Sequence, residues 1–429
     1  MNFVLPLPNI HAYKRNIILF CLLFCYVFAF YIGPFSVSLL IAIPLYMLAL
    51  INIEYRQNLK QTISSKYIIR ILKLWTIIVI LGFLYPIVFL TFDYSFVKVI
   101  LTQALHFIAA FPVLAYLWYR GYSQNEIEIQ FVNIFIVQTF IQFIVLSSPG
   151  LTDFVRHFNR FNPEDLSGAG SDIRGVALSA ATTFHLTLAY GIGFIIYVKH
   201  YLSERVNIQN ILLGLILFAG IFCAGRSGFV GCAIALLGLI YFQFRKNLIM
   251  GIFSLVRLII GSILCISLLM AIISVIVPEF YELLDSRILP YAFEAFDKAD
   301  KTGDFETAST NQLMWMWSRD FNPVELILGS GYFIDSTGRY YMHVDPGILR
   351  HLLFFGIVGY GLLIIYQFTV IPFTKMKGRA HFFCLLILLF IVAIDFKGVS
   401  IGGNKFMVFI PLLLSFSYLY LPVKHNNDK

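Results

Sequence analysis

Apolar runs long enough to cross a bilayer recur from one end of this chain to the other. The hydrocarbon core of a membrane is filled by a helix of about 20 apolar residues, and runs of that length leave few other folds open. Charged residues make up only 13% of the 429 residues, with 59% hydrophobic and a mean hydropathy of +0.82. A soluble domain carries about a quarter charged residues, so a disordered chain, a fibre and an ordinary soluble enzyme are excluded. The runs are too long for membrane barrel strands and lack their alternation. The expected fold is therefore an all-α polytopic membrane protein. About twelve spans are expected, near 16–33, 36–52, 71–92, 98–118, 129–147, 177–197, 210–224, 227–244, 258–277, 347–367, 380–396 and 406–422.

Charge gives the orientation. With the N-terminus placed in the cytoplasm and the spans alternating, the inner side collects 18 of the 31 basic residues. Only five acidic residues fall there: Glu54, Glu126, Glu128, Glu204 and Asp428. Basic residues mark cytoplasmic connections, so both termini are expected inside. The net charge of +8 is then topology and not a nucleic-acid surface. Lys14 and Arg15 precede the first run, and no small-residue cleavage site follows it, so no cleavable signal peptide is expected. All six cysteines lie in apolar runs and read as packing residues, without a disulfide framework or a zinc site.

Three stretches follow. Residues 1–277 hold nine spans and an outer loop at 148–176. Residues 278–346 form a much larger outer loop with twelve acidic and five basic residues. Residues 347–429 hold the last three spans and a short tail. The large loop has helical material of its own at Tyr281–Asp285 and Asn311–Arg319, and is too long for a mere connector. No phosphate loop, HExxH, DxD or GxSxG occurs. Nucleotide hydrolysis, and chemistry on a cytosolic nucleotide sugar, are therefore not expected, and any chemistry belongs on the outer face.

Three motifs stand out there. Gly225-Arg226-Ser227-Gly228 joins two apolar runs with almost no turn, placing Arg226 at the membrane boundary. An arginine there is costly unless paired or solvated, and its planar fork suits phosphate; it equally suits an arginine that caps a hairpin and touches headgroups. Leu328-Gly329-Ser330-Gly331-Tyr332 reads more readily as a turn than as a ligand loop. Tyr341-Met342-His343-Val344-Asp345-Pro346-Gly347-Ile348-Leu349-Arg350 leads into Phe355-Gly356-Ile357-Val358-Gly359. His343, Asp345 and Arg350 at one boundary suit a base, its orienter and a phosphate clamp. Asp345 also suits a helix N-cap with Pro346 as the first helical residue, which leaves Arg350 unexplained. Arg174 and Arg287 each sit near a span end. His106, His185 and His381 read as helix-contact histidines.

Taken together, the spans, the late outer loop, the arginine turn, the LGSG segment and the His/Asp-x-Gly-x-Leu-Arg segment entering a GIxG helix resemble the O-antigen polymerase (Wzy) family, and more widely the O-antigen ligases. The specific residues fall at 225–228, 287, 309–331 and 343–359. The resemblance implies a bacterial inner-membrane glycosyltransferase acting at the periplasmic face, with a large, partly helical periplasmic loop before the tenth helix. It implies that an undecaprenyl-pyrophosphate-linked glycan passes to another lipid-linked repeat unit. The lipid pyrophosphate leaves, and no metal or cofactor is needed. It assigns Arg226 and Arg287 to the pyrophosphate, with Arg350 and Arg174 added by position, and His343 as the base with Asp345 as its competitor. A chain-length regulator is the partner it suggests. The Val344–Arg350 stretch is closer to polymerases than to ligases, which deliver the glycan to lipid A-core. A flippase or other transporter is the rival of another class, expected to carry charges inside several spans and broken helices at the midplane.

Overall fold

The computed structural model describes residues 10–423, except 147, 160–175, 182, 205, 277, 284, 287–289, 291–299, 301–302 and 304–306. The described residues are mostly helical. In order, the helices are α1 (Ile10–Phe28), α2 (Val37–Ile51), α3 (Ile53–Ile63), α4 (Lys66–Val88), α5 (Ser95–Tyr119), α6 (Gln124–Leu146), α7 (Pro149–Arg156), α8 (Thr183–Tyr197), α9 (Ile208–Ala224), α10 (Gly228–Lys246) and α11 (Leu248–Ile276). The large loop contributes α12 (Pro278–Leu283), α13 (Ala308–Trp317) and α14 (Pro323–Leu328). The chain ends with α15 (Gly347–Val370), α16 (Gly378–Asp395) and α17 (Lys405–Tyr420). A two-residue hairpin, Tyr31–Ile32 against Phe35–Ser36, turns α1 into α2.

Among the described residues, seven helices are long and apolar enough to cross a membrane, and the pair α2–α3, bent by 118° at Asn52, makes an eighth if taken as one span. α9 and α17 are apolar but shorter. Each of the twelve expected segments contains one helix. The ninth departs most from expectation, its helix starting at Leu248, ten residues before 258. The sixth becomes helical at Thr183, six residues late, because 177–180 run as bends that hydrogen-bond to the end of α1 through Ala180 N to Phe28 O, 2.8 Å.

Polar residues between the runs set where helices start. Asn52, Ser65, Asn207 and Asn404 each accept a hydrogen bond from the first turn of the helix they precede. Ser123 and Glu126 form a capping box on α6: Ser123 N donates to Oε2 at 2.7 Å and Glu126 N donates to Ser123 Oγ at 3.3 Å.

α8 and α17 form the centre. Every residue from Leu186 to Tyr197 is buried, as is every residue from Phe406 to Ser417. α10 crosses α8 at Gly231 over Gly191, where an added Cβ on Gly231 would strike the Gly191 backbone; small residues let helices approach this closely. α11 lies outermost, with 6% of its most apolar stretch buried.

Polar contacts between connecting segments fall into two groups. One joins the 89–94 turn to 331–334, Trp317 to Phe396, and His185 to Asn404. The other joins Gln124 to Pro422, Asn52 to Tyr119, and Arg379 to Ser203 and Glu204. The first group contains connections expected outside, the second those expected inside.

Candidate functional site

At the first of these ends, the chain makes a compact platform around the start of α15. Residues 334–340 form a tight loop closed by a bridge between Ile334 and Tyr340. Asp335 organises it: Oδ1 accepts from Thr337 N (2.8 Å), Thr337 Oγ1 (2.6 Å) and Arg339 N (3.0 Å). The Thr337 hydroxyl, the backbone N–H groups and His343 hold the Asp335 carboxyl below its ordinary value against a smaller opposing effect of burial. This loop delivers Tyr340 and Phe333 to Arg350.

Arg350 is 8% exposed. Its Cζ lies 3.4 Å from the Tyr340 ring centroid and 4.3 Å from that of Phe333. Its Nε has no hydrogen-bond partner, and among the described residues it forms no ion pair. Cation–π contact offsets part of the cost of burying a guanidinium, and the Nε–H is left without an acceptor.

Asp345 stands five residues before Arg350. Burial raises its carboxyl above the ordinary value, and the Arg350 charge partly opposes that. It was expected as the N-cap of α15. Instead Pro346 occupies the cap position, no side chain caps the helix, and Asp345 N donates to Met316 Sδ at 3.4 Å. The expected first helical residue is thus one place later, at Gly347, where an added Cβ would collide with the Asp395 carboxylate.

His343 does not pair with Asp345 among the described residues. Its Nε2 lies 3.8 Å from Asp335 Oδ2, and its side chain is 49% exposed. His343 and Met342 are both left-handed, at φ 52° and 53°, a conformation that costs energy for residues with a side chain. Arg319 secures the turn: it donates to the Met342 carbonyl and stacks on Trp315, Cζ 4.4 Å from the ring centroid. With the backbone in this conformation the imidazole faces the 334–340 loop.

Beneath the platform, Asp395 gathers the connection after α16. Its Oδ1 accepts from Ser400 N (2.9 Å), Ser400 Oγ (3.0 Å) and Ile401 N (3.0 Å), and its Oδ2 from Tyr360 Oη (3.1 Å). His351 Nε2 meets the Ile401 carbonyl at 3.0 Å, while its buried Nδ1 has no partner. His185 Nδ1 meets Asn404 Nδ2 at 2.8 Å. His185 is two residues from Thr187, whose hydroxyl donates to Gly225 O at 2.5 Å and accepts from Gly228 N at 2.9 Å. Arg226 therefore sits on the same end of the bundle as Arg350, half-buried, with its turn pinned to α8. Arg174 and Arg287 lie outside the described residues.

The two glycine motifs explain each other. Gly356, at φ 66° and ψ −172°, breaks α15 in a conformation open only to glycine. The carbonyls freed by the break are taken by the LGSG segment: Ser330 N donates to Leu353 O at 2.6 Å and Gly331 N to Phe354 O at 3.2 Å. A Cβ on Gly329 would strike Phe354, Phe355 and Gly356 backbone, and one on Gly356 would strike Leu328 and Gly329. The LGSG segment is thus a backbone crossing that closes a helix break, as the turn reading expects.

The platform residues missed by sequence reasoning are Phe333, Asp335, Tyr340, His351 and Tyr360. Only Asp335-Ser336-Thr337-Gly338 carries a signal, as an Asx-turn signature; Phe333, Tyr340 and Tyr360 are three among a great many aromatic residues.

No protein-family model, no curated protein and no solved structure matches this chain.

Proposed function

We propose that the chain is a multi-pass glycosyltransferase of the bacterial inner membrane. In this reading it polymerises undecaprenyl-pyrophosphate-linked oligosaccharide repeat units at the periplasmic face, as the O-antigen polymerases that it resembles in sequence do. All twelve apolar helices span in this reading, with both termini cytoplasmic. The sorting of connection contacts into two groups supports that alternation.

The observation that carries the reading is Arg350: a buried, aromatic-clad guanidinium with no ion-pair partner among the described residues. An arginine in that state is an anion receptor, and it stands beside a carboxyl and near a histidine. In the reaction, an acceptor hydroxyl oxygen attacks the anomeric carbon of the donor. The bond from that carbon to the pyrophosphate oxygen breaks, and the pyrophosphate leaves with the electron pair. Arg350, with Arg226 on the same end, neutralises charge building on the leaving group. The hydroxyl proton passes to His343, oriented by Asp335, or to Asp345. Arg287 and Arg174 belong to the same anion-binding set in this reading.

A second reading has a specific observation behind it. The break in α15 at Gly356 and the buried Glu128–Lys199 pair are features of carriers, which favours a flippase for the same lipid-linked substrate. One experiment separates them. The reconstituted protein is given one lipid-linked repeat unit without metal or nucleotide. A ladder of regular steps is expected. An unchanged band together with protein-dependent lipid translocation establishes the carrier, and product formed only on added lipid A-core establishes a ligase.

A further inference from the structure

A second site adjoins the platform. Between α4 and α5 runs an apolar groove of about 560 Å³, floored by Val97 and walled by Phe83, Leu101 and Leu105. At its end nearest the platform it meets a cup of about 650 Å³ between the 89–95 turn and the 332–336 segment, lined by Tyr332, Ser336, Ser95 and Phe92. Tyr94 and Lys98 line both. They form the neck where an open apolar groove gives way to a cup of mixed polarity.

The neck is built. Leu90 and Phe92 are held left-handed at φ 56° and 54°, with Thr91 N and Phe92 N both donating to Pro86 O at 2.9 and 3.2 Å. Asp93 bolts the two walls together: Oδ1 accepts from Ser95 N at 2.9 Å, and Oδ2 from Phe333 N and Ile334 N at 2.6 and 2.7 Å. Its oxygens, like Oδ1 of Asp335, are thereby committed to protein donors. Lys98 is exposed and has no ion-pair partner among the described residues. It is the cation at the neck.

We infer that this groove and cup bind a single-chain lipid with a phosphate headgroup. The chain lies along Phe83, Leu101 and Leu105, the phosphate meets Lys98, and the polar group beyond it occupies the hydroxyl- and aromatic-lined cup. One narrow run of apolar side chains and one cation fit one chain and one head. The site itself is read from the groove and Lys98, while the choice of a polyprenyl chain rests on the proposed function; lipid binding without a ladder, or a ladder without lipid binding here, tells the two apart. Its occupant would press on the segment carrying Phe333, which covers Arg350.

The test is binding of a long-chain polyprenyl phosphate to the full-length protein in detergent, followed by native mass spectrometry. Saturable binding is expected, weakened about tenfold by Lys98→Ala, as befits loss of one charge-assisted contact. Lys98→Arg should retain it. Leu101→Trp, which fills the groove, should weaken it, and Lys66→Ala, at the other end of the bundle, should not. A diacyl phosphatidylglycerol binding as tightly would identify ordinary annular lipid and overturn the assignment. So would complete competition by inorganic phosphate, which needs no groove, or equal affinity in wild type and Lys98→Ala. The Lys98 substitutions are on an exposed side chain, so they read the site even if Leu101→Trp misfolds.

Discussion

The two ends of the helical bundle both bury charge, but they finish it differently. At the end expected inside, Glu128 and Lys199, at 3% and 10% side-chain exposure, are paired directly. Lys199 Nζ also donates to Tyr418 Oη at 2.8 Å, and His200 Nδ1 stands 3.5 Å from the second Glu128 oxygen. A π-helical turn at Val198–Leu202 ends α8 there, and Arg379 donates to the Lys199 carbonyl, to Ser203 and to Glu204. Each charge meets an opposite charge or an acceptor. At the platform end, Arg350 has aromatic faces where the inner cluster has carboxylates. Cations met by carboxylates hold helices together; a cation met by aromatic faces still lacks a counter-charge. The same chemistry, buried charge, thus separates scaffold from site by whether its partners are already supplied.

That contrast predicts opposite consequences for deletion. Glu128→Ala leaves Lys199 buried and unpaired, and breaking a buried pair in this way costs about 3–5 kcal/mol. The expected outcome is a large fall in melting temperature in detergent and in membrane abundance, with Glu128→Ala plus Lys199→Met recovering most of it. Normal stability of the single variant would mean that the pair is not structural. Arg350→Ala should do the reverse: normal abundance and melting, with turnover in the ladder assay down about 10²–10³-fold, the scale of losing one donor to developing charge. Arg350→Lys should fall nearly as far, because a point charge does not replace the fork. Wild-type ladders from Arg350→Ala would remove the anion-receptor role.

Part of this contrast was legible in the sequence, and the reason differs by region. The apolar runs fixed helix positions because a bilayer-length run has one stable form. Arg226 and Arg350 stood out because arginine is rare within such runs. Glu128 and Lys199 did not: by position they count among the basic side's ordinary boundary charges, and only the folded chain shows them buried against each other. Their partners come from four separate helices, a juxtaposition that spacing along the chain does not encode. Tyr340 and Phe333 were hidden for the same reason. Gly329 and Gly356 were visible as motifs, but that each makes room for the other required both backbones.

The helix break offers a smaller test of the platform itself. Gly356→Ala places a side chain in a glycine-only conformation and against the Leu328–Gly329 backbone. Strain of this kind costs about 1–3 kcal/mol, and the ordered Ser330 and Gly331 contacts should loosen with it. Reduced melting temperature with faster hydrogen exchange at 329–333 is expected, the inner cluster being untouched. Unchanged exchange there would mean that the crossing is not what holds the LGSG segment.

The smallest effect concerns which group takes the proton. Asp345 reaches solvent but is crowded on one side, so its carboxyl titrates above its ordinary 3.8. The native state then holds the Asp345 proton more tightly than the unfolded chain. Its contribution to stability is present below the ordinary value and lost as pH rises through the raised one. Activity runs the other way if Asp345 is the base, because only the deprotonated form accepts a proton. Rate should then climb over the window where this contribution to stability falls, with Arg350 limiting the size of the shift. Asp345→Asn should abolish that limb of the pH–rate profile, whereas Asp335→Asn should leave it and lower the rate a few-fold by freeing His343. If the limb survives in Asp345→Asn and disappears in His343→Gln, the histidine is the base and Asp345 serves Arg350 alone.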